Sequence, residues 1–190
     1  VFEQARAAVP FSRLNSLPSR DQDVLKVASA MLKGELEYRK GSFDDAFRHL
    51  REAVRLEDAL PYCDPPPWLQ PSRHALGALL LEQRRVKEAE EVYRDDLGFG
   101  KSLARRRARL NNVFGLHGLY ECLMILEKND EARAIKIPLD IALASADIDI
   151  GASCFCRLEN SVNSDAGGEV NPHCSLKEKA VRNGCCEVIL

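Results

Sequence analysis

The residues best suited to metal chemistry lie near the end of the chain. Cys154 and Cys156 flank a single residue, and His173 and Cys174 follow them. A structural zinc site also has four ligands. However, Cys154 and Cys156 are separated by one residue, which is fewer than in ordinary paired zinc ligands. A metal site, a disulfide or redox pair, and unreactive thiols are all compatible with this pattern. We expect unreactive thiols and no bound metal.

A second group of reactive side chains falls in the middle of the chain. His74, His117 and Glu121 could converge from neighbouring helices and would then form a transition-metal or acid–base site. His74 is more simply explained as a half-buried, hydrogen-bonded residue. The sequence contains no phosphate-binding loop, nucleophile elbow, zinc-protease helix motif or dinucleotide fingerprint. We therefore predict a protein that is not an enzyme and that needs no cofactor.

Two loop segments have compositions suited to binding. Trp68 follows three prolines, at positions 65–67, so its ordering costs little entropy and it would serve as an anchor for a partner. The alternative is that Trp68 packs in the core between two helical hairpins. The basic run Arg105–Arg107, with Arg109 beyond it, is either a solvated surface or a docking patch for an acidic partner.

Composition limits the classes of partner and compartment. The chain has 190 residues, a net charge of -2 and a pI near 6.1, which gives no general reason to expect nucleic acid or an anionic membrane as partner. No apolar stretch reaches the length of a membrane span, and no secretory signal is recognisable. Seven cysteines, an odd number, favour reduced thiols in the cytoplasm. Because the first residue is not Met, we expect a fragment or a processed form.

Apolar residues at helical spacing predict an all-α fold. Residues 1–20 are expected to be a truncated N-terminal segment, 21–150 a helical repeat domain of about three hairpins, and 151–190 a cysteine-containing, poorly ordered tail. The predicted helices run from about 21 to 41, 43 to 57, 71 to 83, 86 to 97, 111 to 126 and 131 to 146.

Small residues recur at intervals that allow two helices to pack closely. Gly34, Gly41, Ala46, Leu50 and Ala53 mark the first hairpin, and Gly77, Ala89 and Tyr93 repeat much of that spacing about forty residues later. Phe114 and Gly118 match the first half of a third unit. This pattern resembles the tetratricopeptide repeat family, and roughly residues 22–157 look like the C-terminal part of uncharacterised bacterial and fungal members. The resemblance implies an α-solenoid that binds proteins.

The resemblance also implies that the first helix of each hairpin lines a concave groove. The candidate binding residues, counting Trp68 beside the groove, are Tyr38, Arg39, Trp68, Arg73, His74, Glu82, Asn112 and His117. The groove would either accept a peptide or be filled by the chain's own tail or a neighbouring segment. We expect a scaffold for protein–protein contact. The alternatives are a small-molecule or metal site at His74, His117 and Glu121, and a homo-oligomer in which exposed end repeats self-associate.

Overall fold

The structure is a computed structural model, and it describes residues 1–16 and 18–157 of the chain. The described residues are mostly helical, as the apolar spacing predicted. The α-helices are α1 (Phe2–Ala7), α2 (Asp21–Arg39), α3 (Phe43–Ala59), α4 (Ser72–Glu82), α5 (Val86–Asp96), α6 (Val113–Ile125) and α7 (Asn129–Ala144), and a short 3₁₀ turn covers Arg105–Arg107. No described helix combines the length and the apolar character that a membrane span requires.

Three helical hairpins are closed by one kind of turn. Gly41, Arg84 and Glu127 occupy its middle position with φ of +82°, +59° and +57°, and 43 positions separate each from the next. In each turn the amide of the following residue bonds the carbonyl five positions earlier, as in Ser42 to Glu37 at 2.9 Å, and this bond satisfies the helix end. The turn geometry is therefore maintained even where glycine, the residue that tolerates positive φ best, is absent.

Small residues set the distance between helices within and between the hairpins. Tyr38 at the end of α2 contacts Phe43 at the start of α3, with ring centroids 5.1 Å apart, whereas Gly34 faces Leu50 further along α3, so the two helices are antiparallel. The helix α4 packs on α3, α5 and α6, and α5 also packs on α6. Ala46, Ala89 and Ala132, again 43 positions apart, are all buried at these contacts.

The first twenty residues are more structured than the sequence indicated. We expected only a truncated N-terminal segment, but α1 is followed by a two-stranded antiparallel ribbon of β1 (Leu14–Ser16) and β2 (Ser19–Arg20). This segment attaches to α2 through polar contacts. Gln22 donates to the carbonyl of Val9 at 2.6 Å, and Glu3 accepts from Ser29 and pairs with a lysine of α2.

Candidate functional site

Tyr93 of α5 passes between α4 and α6. A Cβ atom added to Gly77 of α4 or Gly118 of α6 would overlap its ring, so both glycines are needed for this close approach. The side chain is fully buried, and its hydroxyl bonds the hydroxyl of Ser153. Burial raises the pKa of Tyr93 well above its usual range, so the hydroxyl stays neutral. Tyr93 thus links the helices to a segment far along the chain.

That segment, residues 151–157, lies across α2 and α6, and we call it the docked segment. Arg39 of α2 donates to the carbonyl oxygen of Cys156. Arg157 donates to both carboxylate oxygens of Glu121 on α6, each at 2.8 Å. Its last two residues thus bond α2 and α6, which belong to different hairpins. The docked segment therefore bridges two of the helices that were expected to line the groove.

The middle of the docked segment is buried. Ser153 is 0% exposed and Cys154 is also buried, with Gln70 donating to its sulfur at 3.6 Å. Phe155 is 74% exposed, yet its ring makes an edge contact with Phe114 of α6 at a centroid distance of 5.7 Å. The docked segment is therefore held against the helices by burial at Ser153 and Cys154 and by a ring contact at Phe155.

Cys154 and Cys156 are joined in a disulfide, which differs from the unreactive thiols that we expected. Neither sulfur is therefore available as a metal ligand in this structure. The two other weak metal candidates, His173 and Cys174, lie outside the described residues. Over the part of the chain that is described, no group of three or more His, Cys, Asp or Glu side chains is placed to hold a metal ion.

Two of the candidate groove residues on α4 are paired with carboxylates of the same protein. The His74 Nε2 atom lies 2.9 Å from Asp96 Oδ2, and both side chains are buried. Arg73 makes a bidentate pair with Asp58, at 2.6 and 2.7 Å. Burial alone would raise the pKa of Asp96, but its contacts with His74 and Arg109 outweigh burial and lower it.

Arg109 extends this pairing to the segment before α6. It donates to Asp96 at 2.7 Å and to Glu57 of α3 at 2.6 Å, and the other Glu57 oxygen accepts the backbone amide of Ser72 at 2.8 Å. The network therefore connects α3, α4 and α5. Sequence analysis did not single out Glu57 or Asp96. The available signal was that Asp96 stands where the repeat pattern has alanine.

The other candidates on the helices also have local roles. Tyr38 is buried and accepts a hydrogen bond from Gln83 at 2.8 Å, and Glu82 lies half-buried beside it. Asn112 begins α6 and accepts the amides of Phe114 and Gly115 at 3.0 and 3.2 Å, which makes it a helix cap.

His117 differs from Tyr38 and Asn112 because, like Glu82 and Trp68, it has an enclosed polar atom without a hydrogen-bond partner among the described residues. Its Nδ1 atom is enclosed and makes no hydrogen bond to a described residue. Burial lowers the pKa of His117, with Arg157 adding to the decrease and Glu121 opposing it. His117 therefore favours the neutral imidazole. The structure does not assemble it with His74 and Glu121 into a group that could hold a metal.

The two loop segments singled out in the sequence meet at one cleft. Residues 60–68 form one wall and residues 103–109 the other, and we call this site the proline–arginine cleft; its volume is about 230 Å³. The Arg107 side chain donates to the carbonyl of Leu60 and joins the walls. Trp68 is half-buried, lines the cleft and also packs against the hydrophobic core. Trp68 thus contributes to core packing, and its role as an anchor for a partner stays a prediction.

Comparison with known proteins gives limited information. No protein-family model and no solved structure matches the chain. The chain is similar to the glutamate–tRNA ligase of Anaeromyxobacter dehalogenans strain 2CP-C, with 27% identity over 147 residues, and to that of Anaeromyxobacter sp. strain K, with 28%. Each match covers 74% of this chain and 31% of the ligase. The chain thus spans about a third of the length of these curated relatives, and at this identity the match shows no family.

Proposed function

We propose that the chain is a non-enzymatic helical-repeat scaffold that binds a segment of a partner protein in the groove formed by α2, α4 and α6. The observation that carries this proposal is the docked segment itself. It is held by a backbone carbonyl contact at one helix, a hydroxyl pair at Tyr93 and an ion pair at another helix. A groove with such anchors is suited to a short stretch of polypeptide.

The repeat architecture is part of the proposal. One turn geometry and one buried alanine recur at 43-residue intervals through the three hairpins, which supports tandem repeats packed side by side. The tetratricopeptide unit has 34 residues, so this spacing is longer than the family's. The resemblance therefore rests on the glycine and alanine pattern of the first two hairpins, with Arg84 taking the place of the turn glycine in the second.

The state of the reactive side chains supports a binding role over a catalytic one. His74 is paired with Asp96 and Glu121 with Arg157, so both already have partners within the chain. Burial raises the pKa of Cys122 to about 12, which leaves its thiol protonated and unreactive. The alternative small-molecule or metal site at His74, His117 and Glu121 is less favoured because two of its three members are engaged elsewhere.

The partner that we propose is a protein in the cytoplasm, and self-association through exposed end repeats is a second way in which one chain could meet another. The relatives' name mentions tRNA, but a net charge of -2 does not favour RNA as the ligand of this chain. The docked segment indicates what the groove recognises: a main-chain carbonyl for Arg39, a basic side chain for Glu121 and a ring against Phe114.

A peptide added in trans tests the proposal. The probe is the oxidised peptide of residues 150–157 with a fluorophore at its N-terminus, and its anisotropy is followed with the full chain. In the wild type the tethered copy competes at high effective concentration, so binding should be weak. The double variant Ser153→Ala, Arg157→Ala loosens the tethered copy, and the peptide should then bind about tenfold more tightly.

Two further variants locate the binding. Adding Glu121→Ala to the double variant should remove the gain, because the peptide's terminal arginine loses its carboxylate. Adding Arg48→Ala should leave binding unchanged, because among the described residues this exposed arginine of α3 pairs with Asp45 of the same helix and lies next to His49. If the double variant fails to bind the peptide, or binds it regardless of Glu121, the groove is not a peptide site.

A further inference from the structure

The arginine wall of the proline–arginine cleft is held in a fixed conformation. The amides of Arg107 and Ala108 bond the carbonyls of Ala104 and Arg105 at 2.8 and 3.1 Å, which closes the 3₁₀ turn. The Arg109 amide bonds the Asp96 carbonyl at 2.8 Å. With the side chain of Arg107 bound to the opposite wall, the backbone of Arg106 is fixed beside the cleft, so only the Arg106 side chain must be ordered on binding.

Among the described residues, charge pairing leaves Arg106 without an ionic partner. The acids at the inner end of the cleft are already used, since Glu57 accepts from Arg109 and Asp58 from Arg73. Among the described residues, no carboxylate lies within ion-pair distance of Arg105 or Arg106. Both side chains are exposed, and Arg106 lines the cleft. The cleft thus offers one unpaired guanidinium, opposed only by Asp64 among its lining acids.

The opposite wall supplies apolar surface. Tyr62 is 50% exposed, and Pro66 and Pro67 line the cleft beside the half-buried Trp68. The volume of about 230 Å³ is below that of sites for drug-sized ligands and suits a single side chain with its neighbour. Prolines hold this wall in shape before a ligand arrives.

We propose that the proline–arginine cleft is a second interaction site, which binds an acidic side chain of a partner protein. The carboxylate pairs with the Arg106 guanidinium, whose planar fork matches two carboxylate oxygens, and an adjacent apolar residue of the partner packs on Tyr62 and the prolines. This site is separate from the groove and does not depend on the docked segment.

The sole tryptophan of the chain provides the readout, because Trp68 lines the cleft. The probe is a short acetylated and amidated peptide of alternating aspartate and leucine, titrated into the full chain while Trp68 fluorescence is recorded. We expect saturable binding that weakens as salt is added. Arg106→Ala should weaken it about fivefold, and Arg133→Ala, an exposed arginine on α7, should change it less than about twofold.

Three outcomes would overturn the proposal. The first is equal binding by Arg106→Ala and the wild type, or by the matched asparagine–leucine peptide. The second is inorganic phosphate binding as tightly as the peptide and displacing it, which would make the cleft a free-anion site. The third is a single-stranded RNA oligomer that binds more tightly than the peptide and depends on Arg106. None of these outcomes involves the groove variants, so this test and the peptide-in-trans test fail independently.

Discussion

The groove and the proline–arginine cleft differ in how far the fold has already used their polar groups. In the groove, Arg39 holds a carbonyl of the docked segment and Glu121 holds Arg157. In the cleft, Arg106 has no carboxylate partner among the described residues. Charged side chains are therefore already paired in the groove, whereas Arg106 in the cleft is not. Whether such a side chain can bind a partner protein depends on whether the chain itself already supplies its partner.

The two sites also differ in the elements that form them. Arg39 and Glu121, which bind the docked segment, lie on helices that the apolar spacing of the sequence predicted. The cleft is built by two loops about forty residues apart in sequence, and the loops meet because Arg107 and Arg109 bind backbone and acidic groups of α3 and of its C-terminal end. Arg107 and Arg109 thus hold the two loops together, whereas Arg105 and Arg106 have no carboxylate partner among the described residues.

The largest predicted effect distinguishes Arg109 from Arg106. Arg109→Ala leaves Glu57 and the fully buried Asp96 without their common cation, and it should lower the free energy of unfolding by about 3 kcal/mol. Arg106→Ala removes a side chain with no ionic partner and should change it by less than about 0.5 kcal/mol. Urea unfolding of both variants measures the difference. An equal loss of unfolding free energy in the two variants would contradict the different roles given to Arg109 and Arg106.

A second prediction concerns the contact that supports the groove. Gly118→Ala places a methyl group where the Tyr93 ring lies, so α6 must shift, and we expect a loss of about 2 kcal/mol. Gly151→Ala is the matched control, because no atom lies within 4 Å of its added Cβ. Thermal unfolding of both variants reports the cost, and a neutral Gly118→Ala would show that Tyr93 does not pass between α4 and α6.

Acid should weaken the buried pairs. Burial opposes ionisation of Asp96 and of Glu90 on α5, which pairs with Lys128 and Arg94. The contacts of Asp96 with His74 and Arg109, and those two pairs of Glu90, nevertheless lower both pKa values below the ordinary range. Because these pKa values are lower in the folded state, the pairs stabilise the fold above the unfolded-state pKa, near 4, and this stability is lost as the pH falls below it. Urea unfolding between about pH 5 and pH 3 should show that decline. A shallower decline in Glu90→Gln, relative to the wild type, would assign part of it to that carboxylate; an identical slope would contradict the assignment.

The smallest predicted effect is local. Arg157→Ala removes the ion pair with the half-buried Glu121 and should favour release of the docked segment by about 1 kcal/mol, with little change in global stability. Hydrogen exchange of the amides of residues 151–157 should then accelerate about fivefold, while exchange in α4 stays as it was. Arg133→Ala serves as the exposed control. Unchanged exchange in Arg157→Ala would show that the ion pair does not hold the segment.

Local patterns in the sequence predicted the helices but not the contacts between distant segments. Apolar spacing and the turn at Gly41 predicted the bounds of α2 and α3 accurately, because both signals act within one or two helical turns. A tail lying against the helices was one alternative from the sequence, but the residues that dock could not be identified, since burial of residues 151–157 depends on Tyr93 reaching them past Gly77 and Gly118. The pairing of Glu57 and Asp96 with Arg109 likewise joins residues that are far apart in sequence.

The central claim is that residues 151–157 occupy the groove, and photo-crosslinking tests it most directly. A benzophenone amino acid placed at position 155 of the full chain should crosslink to α6 near Phe114, whose ring contacts Phe155 in the structure. Excess of the peptide of residues 150–157, added to the variant with Ser153→Ala and Arg157→Ala, should reduce that crosslink. Crosslinks to α3 instead, or none at all within the chain, would contradict the account.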